Sequence, residues 1–239
     1  MSFFPAIDSN VYGNSGNFKE IFISTPDGIK LQSFYFKNTN SDRILIYFHG
    51  NAGNMSYRFP EFNMFAKMNI NLFCISYRGF GKSTGRPSEK GVYTDGFAAY
   101  DYVLDTLTFN KDSILVLGRS IGTAVAINTA VNRNIKKLIL VTPFTTGKEY
   151  ASAHGLGFWT FLVGNPFDNS SKCSRINSNV LILHGTNDEV IPFAMGQNIF
   201  NKLNCMKSFI TIDGGHHNDL EYVDSTSYWG SISNFVNRK

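Results

Sequence analysis

The strongest constraint on how this chain can fold is a rhythm. Short apolar runs, "RILIYF", "INLFCISY", "SILVLG", "KKLILVT", "NVLILHG" and "SFITID", recur along the sequence and are separated by longer segments. Each run is apolar almost throughout, as a strand covered on both faces must be; a strand with one wet face would alternate. The intervening "RFPEFNMFAKM", "GVYTDGFAAYDYVLDTL", "IGTAVAINTAV" and "FAMGQNIFNKL" are long enough for crossover helices, and "SYWGSISNFVN" closes the chain. Ahead of them, "EIFIST" and "LQSFYF" flank the turn "PDG" and read as a hairpin. A hairpin feeding repeated βα units predicts an α/β fold, with a mainly parallel eight-stranded sheet and helices on both faces. Ligands bind such sheets beyond the carboxyl ends of the strands, so functional residues are expected just after the apolar runs.

One segment breaks the rhythm. Residues 144–178 exceed what a crossover needs and include "GLGFWTFLVGNPF", rich in Phe, Trp and Gly. They read as a small lid inserted into a single domain of residues 1–239. A chain of that size buries roughly 70% of the surface its unfolded form exposes, so no staples are needed.

Charge and cysteine usage exclude several functions. The balance is +4, with no basic run longer than "IKK", so no nucleic-acid partner is expected. No stretch approaches the roughly 18 apolar residues of a membrane span. "MSFFPAIDSN" lacks the basic and apolar regions of a secretory signal. Cys74, Cys173 and Cys205 are widely spaced with no CxxC pair, which argues against a disulfide framework or a zinc site. Cys74, in "NLFCISY", reads as a buried small hydrophobe. A reducing, cytoplasmic setting is expected, with no metal or organic cofactor and a small-molecule or acylated substrate as partner.

Two stretches read Gly-x-Ser-x-Gly, "GKSTG" at 81–85 and "GRSIG" at 118–122. That pattern can hold a nucleophilic serine on a strained turn between a strand and a helix. Ser120 directly follows "SILVL" and precedes the small-residue helix "IGTAVAINTAV". Ser83 is followed by "TGRPSE", in which Gly85 and Pro87 prevent a helix from starting. "GKS" is no phosphate loop either, because Ser76 stands where that motif needs a glycine. Ser120 is therefore the candidate nucleophile.

A serine needs a base, an acid to orient it and donors for the oxyanion. The run "NVLIL" is followed by "HGTNDEVIP", offering Asp188 and Glu189, of which Asp188 fits better. "SFITID" is followed by "GGHHNDL", offering His216 and His217, with Asp219 expected to cap the final helix. Serine, then acid, then histidine is the chain order of one known hydrolase architecture. The oxyanion donors would be the backbone N–H of Ile121 and, from the loop "HGNAGN", that of Asn51. His49, Phe144, Phe158 and Trp159 are the candidates to line a substrate pocket, although His49, like His184, is better placed to shape its loop by hydrogen bonding, and the lid aromatics, Tyr150 among them, could equally form a mini-core.

"FHGNAGN", "SYRGFGKSTGRPSE", "GRSIGTAVA", "HGTNDEVIP" and "GGHHND" together resemble the Bem46-like group of α/β-hydrolase serine hydrolases, which includes eukaryotic protein depalmitoylases. The resemblance runs from the hairpin to the histidine motif. It implies an α/β-hydrolase fold with Ser120 as nucleophile, Asp188 as acid and His217, the histidine before "ND", as base. Those depalmitoylases carry a lipidated, cysteine-rich N-terminus; "MSFFPAIDSN" has no cysteine, so membrane anchoring does not carry over. The expected activity is cleavage of carboxylic esters or thioesters through an acyl-enzyme on Ser120. A peptidase with the same triad, or a non-catalytic binding protein on the same fold, are the alternatives.

Overall fold

The computed structural model describes residues 3–5, 18–53, 55–156 and 165–238. Its main sheet has eight strands: β1 (Phe18–Ser24), β2 (Lys30–Phe36), β3 (Ile44–Phe48), β4 (Asn71–Ile75), β5 (Ile114–Arg119), β6 (Lys137–Val141), β7 (Asn179–Gly185) and β8 (Lys207–Ile212). They lie in the order β1-β2-β4-β3-β5-β6-β7-β8. The β1–β2 hairpin pairs Phe18 with Phe36 and Ser24 with Lys30, and β2 runs antiparallel to β4. Every pairing from β4 to β8 is parallel. The hairpin turn needs a left-handed residue and has one in Gly28, at φ 81°.

Alternation along the strands builds two cores. Ile44, Ile46 and Phe48 face one side of β3, with Val116 of β5 and Leu138 and Leu140 of β6. On that side they meet α2 (Glu89–Asp101), α3 (Gly122–Arg133) and α5 (Phe193–Lys202). Leu45 and Tyr47 face the other side, where Phe62 and Phe65 of α1 (Phe59–Ala66) and Trp229 and Ile232 of α7 (Ser225–Asn237) cover them. Each central strand is buried on both faces, which is why its sequence is apolar throughout. The edge strand β8 is half exposed.

Differences from the sequence reading are local. The helix expected over residues 91–107 is α-helical only to Asp101 and continues as a π-helical turn, Tyr102–Thr106. Asp219 does not cap the final helix. It precedes a single turn, α6 (Leu220–Val223), and its carboxylate accepts from the His216 N–H at 2.7 Å. The final helix is capped by Asp224, which accepts from Ser227 N–H at 2.9 Å. The connection between β6 and β7 carries α4 (Gly147–Ala151), a π-helical turn (Ser152–Leu156) and a 3₁₀ segment (Ser170–Arg175); residues 157–164, including Phe158 and Trp159, lie outside the described residues.

The sheet order places the site. From β3 the chain first moves outward to β4, then returns and builds β5 to β8 on the other side. A crevice opens where the order reverses, at the carboxyl ends of β3 and β5. Asn51 and Ser120 follow those two strands.

Candidate active site

Ser120 sits between β5 and α3 with φ 55°, a left-handed conformation that costs a non-glycine residue about 1–2 kcal/mol. The surrounding bonds impose it. Ser120 N–H donates to Val141 O at 2.9 Å, while its carbonyl accepts from Thr123 N–H at 2.9 Å and from the Thr123 hydroxyl at 2.6 Å. The two glycines of the motif make the turn fit. A Cβ on Gly118 would lie 2.3 Å from Gly122 O, and one on Gly122 would lie 2.1 Å from Phe48 O.

His217 and Asp188 complete a line of hydrogen bonds. His217 Nε2 is 3.1 Å from Ser120 Oγ, and His217 Nδ1 is 2.9 Å from Asp188 Oδ2 and 3.1 Å from Oδ1. Asp188 Oδ1 also accepts from the N–H groups of Val190 at 2.9 Å and Ile191 at 2.7 Å. His184 approaches from beneath, with Nε2 3.3 Å from Asp188 Oδ2 and 2.9 Å from Ile191 O. Burial works to raise the Asp188 proton affinity, but hydrogen bonds from His184, His217 and Ile191 and the charge of His217 outweigh it, holding the carboxyl well below the usual carboxylate range. Asp188 is thus a buried, ionised acceptor facing Nδ1 of His217.

The competing residues are placed elsewhere. Ser83 Oγ donates to Ser76 O at 2.7 Å and accepts from Gln32 N–H at 2.9 Å, tying its loop to β2. His216 is exposed and pairs with Glu189 at 3.0 Å, one residue along from the His217–Asp188 pair. Both alternatives, His216 as base and Glu189 as acid, therefore point to solvent.

A cleft of about 240 Å³ opens above Ser120, lined among others by Gly50, Asn51, Ile121, Tyr150, Ile191 and His217. A Cβ on Gly50 would stand 3.4 Å from Ser120 Cβ, so the loop after β3 runs directly beside that serine. Asn51 and Ile121 thereby flank Ser120 from the two loops expected to supply oxyanion donors.

Two residues expected in the pocket are not in it. His49 is buried beneath the cleft, where its Nδ1 donates to Gly50 O at 2.6 Å and its ring lies 4.3 Å from that of Tyr77. Burial pushes its pKa down to about 4, so it is neutral at ordinary pH. Phe144 is fully buried against Phe167, ring centres 6.3 Å apart. Both follow strand ends, but both turn back into the core. Tyr150, one of the lid aromatics weighed as acyl-chain contacts, does line the cleft, whereas sequence reading missed Val190, Ile191, Arg58 and Arg119. The only signal for them is adjacency to the site motifs.

Arg119, beside Ser120, is 1% exposed. Its guanidinium is 3.4 Å from Glu221, 3.9 Å from Glu61 and 3.4 Å from His217 O, to which it donates. Burial pushes the Glu61 carboxyl upward against the pull of Arg119, and Glu61 Oε2 accepts from Tyr47 OH at 2.9 Å. This cluster ties the elbow to the histidine loop. Among the described residues, no group of three or more His, Cys, Asp or Glu could hold a metal, and no helix is long and apolar enough to cross a membrane.

Comparison with known proteins adds the context. The sequence profile of the alpha/beta hydrolase fold matches residues 43–162. The chain is 34% identical over 203 residues to alpha/beta hydrolase domain-containing protein 17B of Xenopus tropicalis, covering 84% of this chain and 68% of the relative. It is 34% identical over 230 residues to protein bem46 of Schizosaccharomyces pombe, covering 92% of this chain and 76% of that one. A Pyrococcus furiosus esterase structure superposes with a TM-score of 0.80 at 20% identity, covering 98% of this chain and 99% of the esterase.

Proposed function

This chain belongs to the α/β-hydrolase family, and from that premise we propose that it is a serine hydrolase cleaving carboxylic esters or thioesters through an acyl-enzyme. The observation that carries the reading is the left-handed Ser120, with Oγ 3.1 Å from His217 Nε2 and His217 Nδ1 2.9 Å from Asp188. In this reading Ser120 Oγ attacks the acyl carbonyl carbon as His217 Nε2 takes the hydroxyl proton. Asp188 holds the tautomer in which Nε2 carries the lone pair and stabilises the imidazolium that forms. The N–H groups of Ile121 and Asn51 donate to the developing oxyanion, each such donor being worth about 10²–10³ in rate. Collapse breaks the bond to the alcohol or thiol, which leaves with the proton held by His217. Water then attacks the acyl-enzyme, giving up a proton to His217, and the carboxylic acid departs as Ser120 Oγ recovers that proton.

We read the β6–β7 connection as a lid over this cleft, a role supported by Tyr150, which comes from that segment and lines the cleft. The decisive experiment is labelling with a fluorophosphonate probe. The native protein and Ser83→Ala should label, while Ser120→Ala should not. Labelling of Ser120→Ala, or none of a folded native protein, overturns the reading and returns the binding-protein alternative.

A further inference from the structure

Deepening the serine-hydrolase reading, on which it rests, we propose that the cleft selects substrates carrying a negative charge near the scissile acyl group, and that Arg58 is the residue that binds that charge. The cleft lining is asymmetric in chemistry. Among the described residues it contains two guanidinium groups, those of Arg58 and Arg119, and no carboxylate.

Arg119 is not available to a ligand's charge: it is buried, and Glu61, Glu221 and the His217 carbonyl occupy its guanidinium. Arg58 differs. It is half-buried, ends the 3₁₀ turn Met55–Arg58 after the loop that bears Asn51, and makes no hydrogen bond or ion pair with any described residue. Its charge does act at longer range on the buried Glu61, Tyr47 and His49. Glu61, however, faces Arg119 and Tyr47 and does not line the cleft, so among the described residues no carboxylate stands beside the Arg58 guanidinium on the ligand's side.

The sheet order separates this charge from the apolar lining. Arg58 comes from the loop after β3, on one side of β5, the strand of the nucleophile. Val190 and Ile191 come from the loop after β7, on the other side. A bound acyl group with its carbonyl at Ser120 would have hydrocarbon contacts towards Ile191 and a guanidinium towards Arg58. A guanidinium presents paired donors that match a carboxylate or a phosphate, and in a concave, partly desolvated site the contact is stronger than on an open surface.

Two sources share this chemistry: a carboxylate at the far end of the acyl chain, or a phosphate on the leaving group. Two probe pairs separate them. The first is mono-p-nitrophenyl adipate against p-nitrophenyl hexanoate; the second is hexanoyl-coenzyme A against hexanoyl-N-acetylcysteamine. In at least one pair the native enzyme should favour the charged probe in kcat/KM. Arg58→Ala should lower that charged-to-neutral ratio by about ten- to a hundredfold. Arg58→Lys should keep part of it, Arg58→Glu should invert it, and added salt should compress it in the native enzyme. Response of the adipate pair alone assigns the acyl carboxylate, and response of the coenzyme A pair alone assigns the leaving-group phosphate. Equal handling of charged and neutral probes by the native enzyme overturns the proposal, as does a ratio that Arg58→Ala leaves in place. Turnover of neutral probes that needs Ser120 but shows no charge preference leaves the hydrolase reading standing and removes this one. Failure to turn over any of the four removes both.

Discussion

Replacing Asp188 by asparagine tests the triad at the point where the geometry is most specific. Two backbone donors, Val190 N–H and Ile191 N–H, converge on Oδ1, so the asparagine oxygen is held there and the amide nitrogen takes the Oδ2 position. That puts an NH₂ group 2.9 Å from His217 Nδ1, where a carboxylate oxygen had accepted. The imidazole can keep a longer bond to Oδ1, at 3.1 Å, or reverse its tautomer and lose the lone pair facing Ser120. Either way no counter-charge remains for the imidazolium. A unit charge pair about 4 Å apart at an effective dielectric near 20 is worth about 4 kcal/mol, or about three powers of ten in rate. We therefore expect kcat/KM on p-nitrophenyl butyrate to fall about 10³-fold, with a parallel fall in the rate of fluorophosphonate labelling. The fold should survive, since the Oδ1 bonds persist. A loss of about 1–2 kcal/mol from weakened charge-assisted bonds corresponds to a Tm lower by about 2–8 °C. If the asparagine variant is folded and retains activity within about tenfold of native, Asp188 does not orient the base and the triad assignment falls.

The same carboxylate predicts a pH dependence of stability. Because its folded-state pKa is held below the unfolded value, ionised Asp188 contributes stability that is fully present above the ordinary carboxylate range and is lost as pH falls through its depressed value. Urea titrations should show the gap between native and Asp188→Asn narrowing between about pH 5 and pH 2, and a gap that widens contradicts the sign. Gly122→Ala should be among the most disruptive single-methyl changes in the chain, because the added Cβ meets backbone, Phe48 O at 2.1 Å and His49 O at 2.6 Å. A cost of about 3 kcal/mol or outright misfolding is expected by urea titration, and a variant as stable as native would mean that β3 and α3 do not pack this closely.

Much of the architecture was legible because its cause is local. Strands buried on both faces must be apolar at every position, and the runs in β3 to β7 advertise that without knowledge of their neighbours. The local settings of the two serines were legible for a similar reason: Gly85 and Pro87 forbid a helix after Ser83, and the small residues after Ser120 invite the one that forms there. The two adjacent histidines were different. His216 and His217 stand at the same strand end, and adjacent residues there point in opposite directions, so composition alone left both open. The fold turns His217 inward to Ser120 and His216 outward to Glu189. Arg119 was equally hidden, since its role depends on Glu61 and Glu221, which come from distant parts of the chain.

Phe144 carries that point into an experiment. Position after a strand places a residue at the mouth of the crevice but does not fix its direction. After β6 the chain takes a left-handed step at Thr142, φ 50°, and by Phe144 the side chain has turned into the core against Phe167. Its carbonyl is held by Asn169 Nδ2 at 3.0 Å, so the backbone is anchored there as well. Truncation of a fully buried phenylalanine costs about 3–5 kcal/mol through lost burial and the cavity left behind. In a protein of this size that is a Tm lowered by about 6–20 °C. Phe144→Ala should therefore show a large loss in thermal unfolding. Assayed well below its melting temperature, it should keep the native ranking of p-nitrophenyl esters by chain length, because the ring is not in the cleft. A variant that melts like native but loses its preference among those esters would put Phe144 back in the pocket and show that the chain after Thr142 opens towards the substrate.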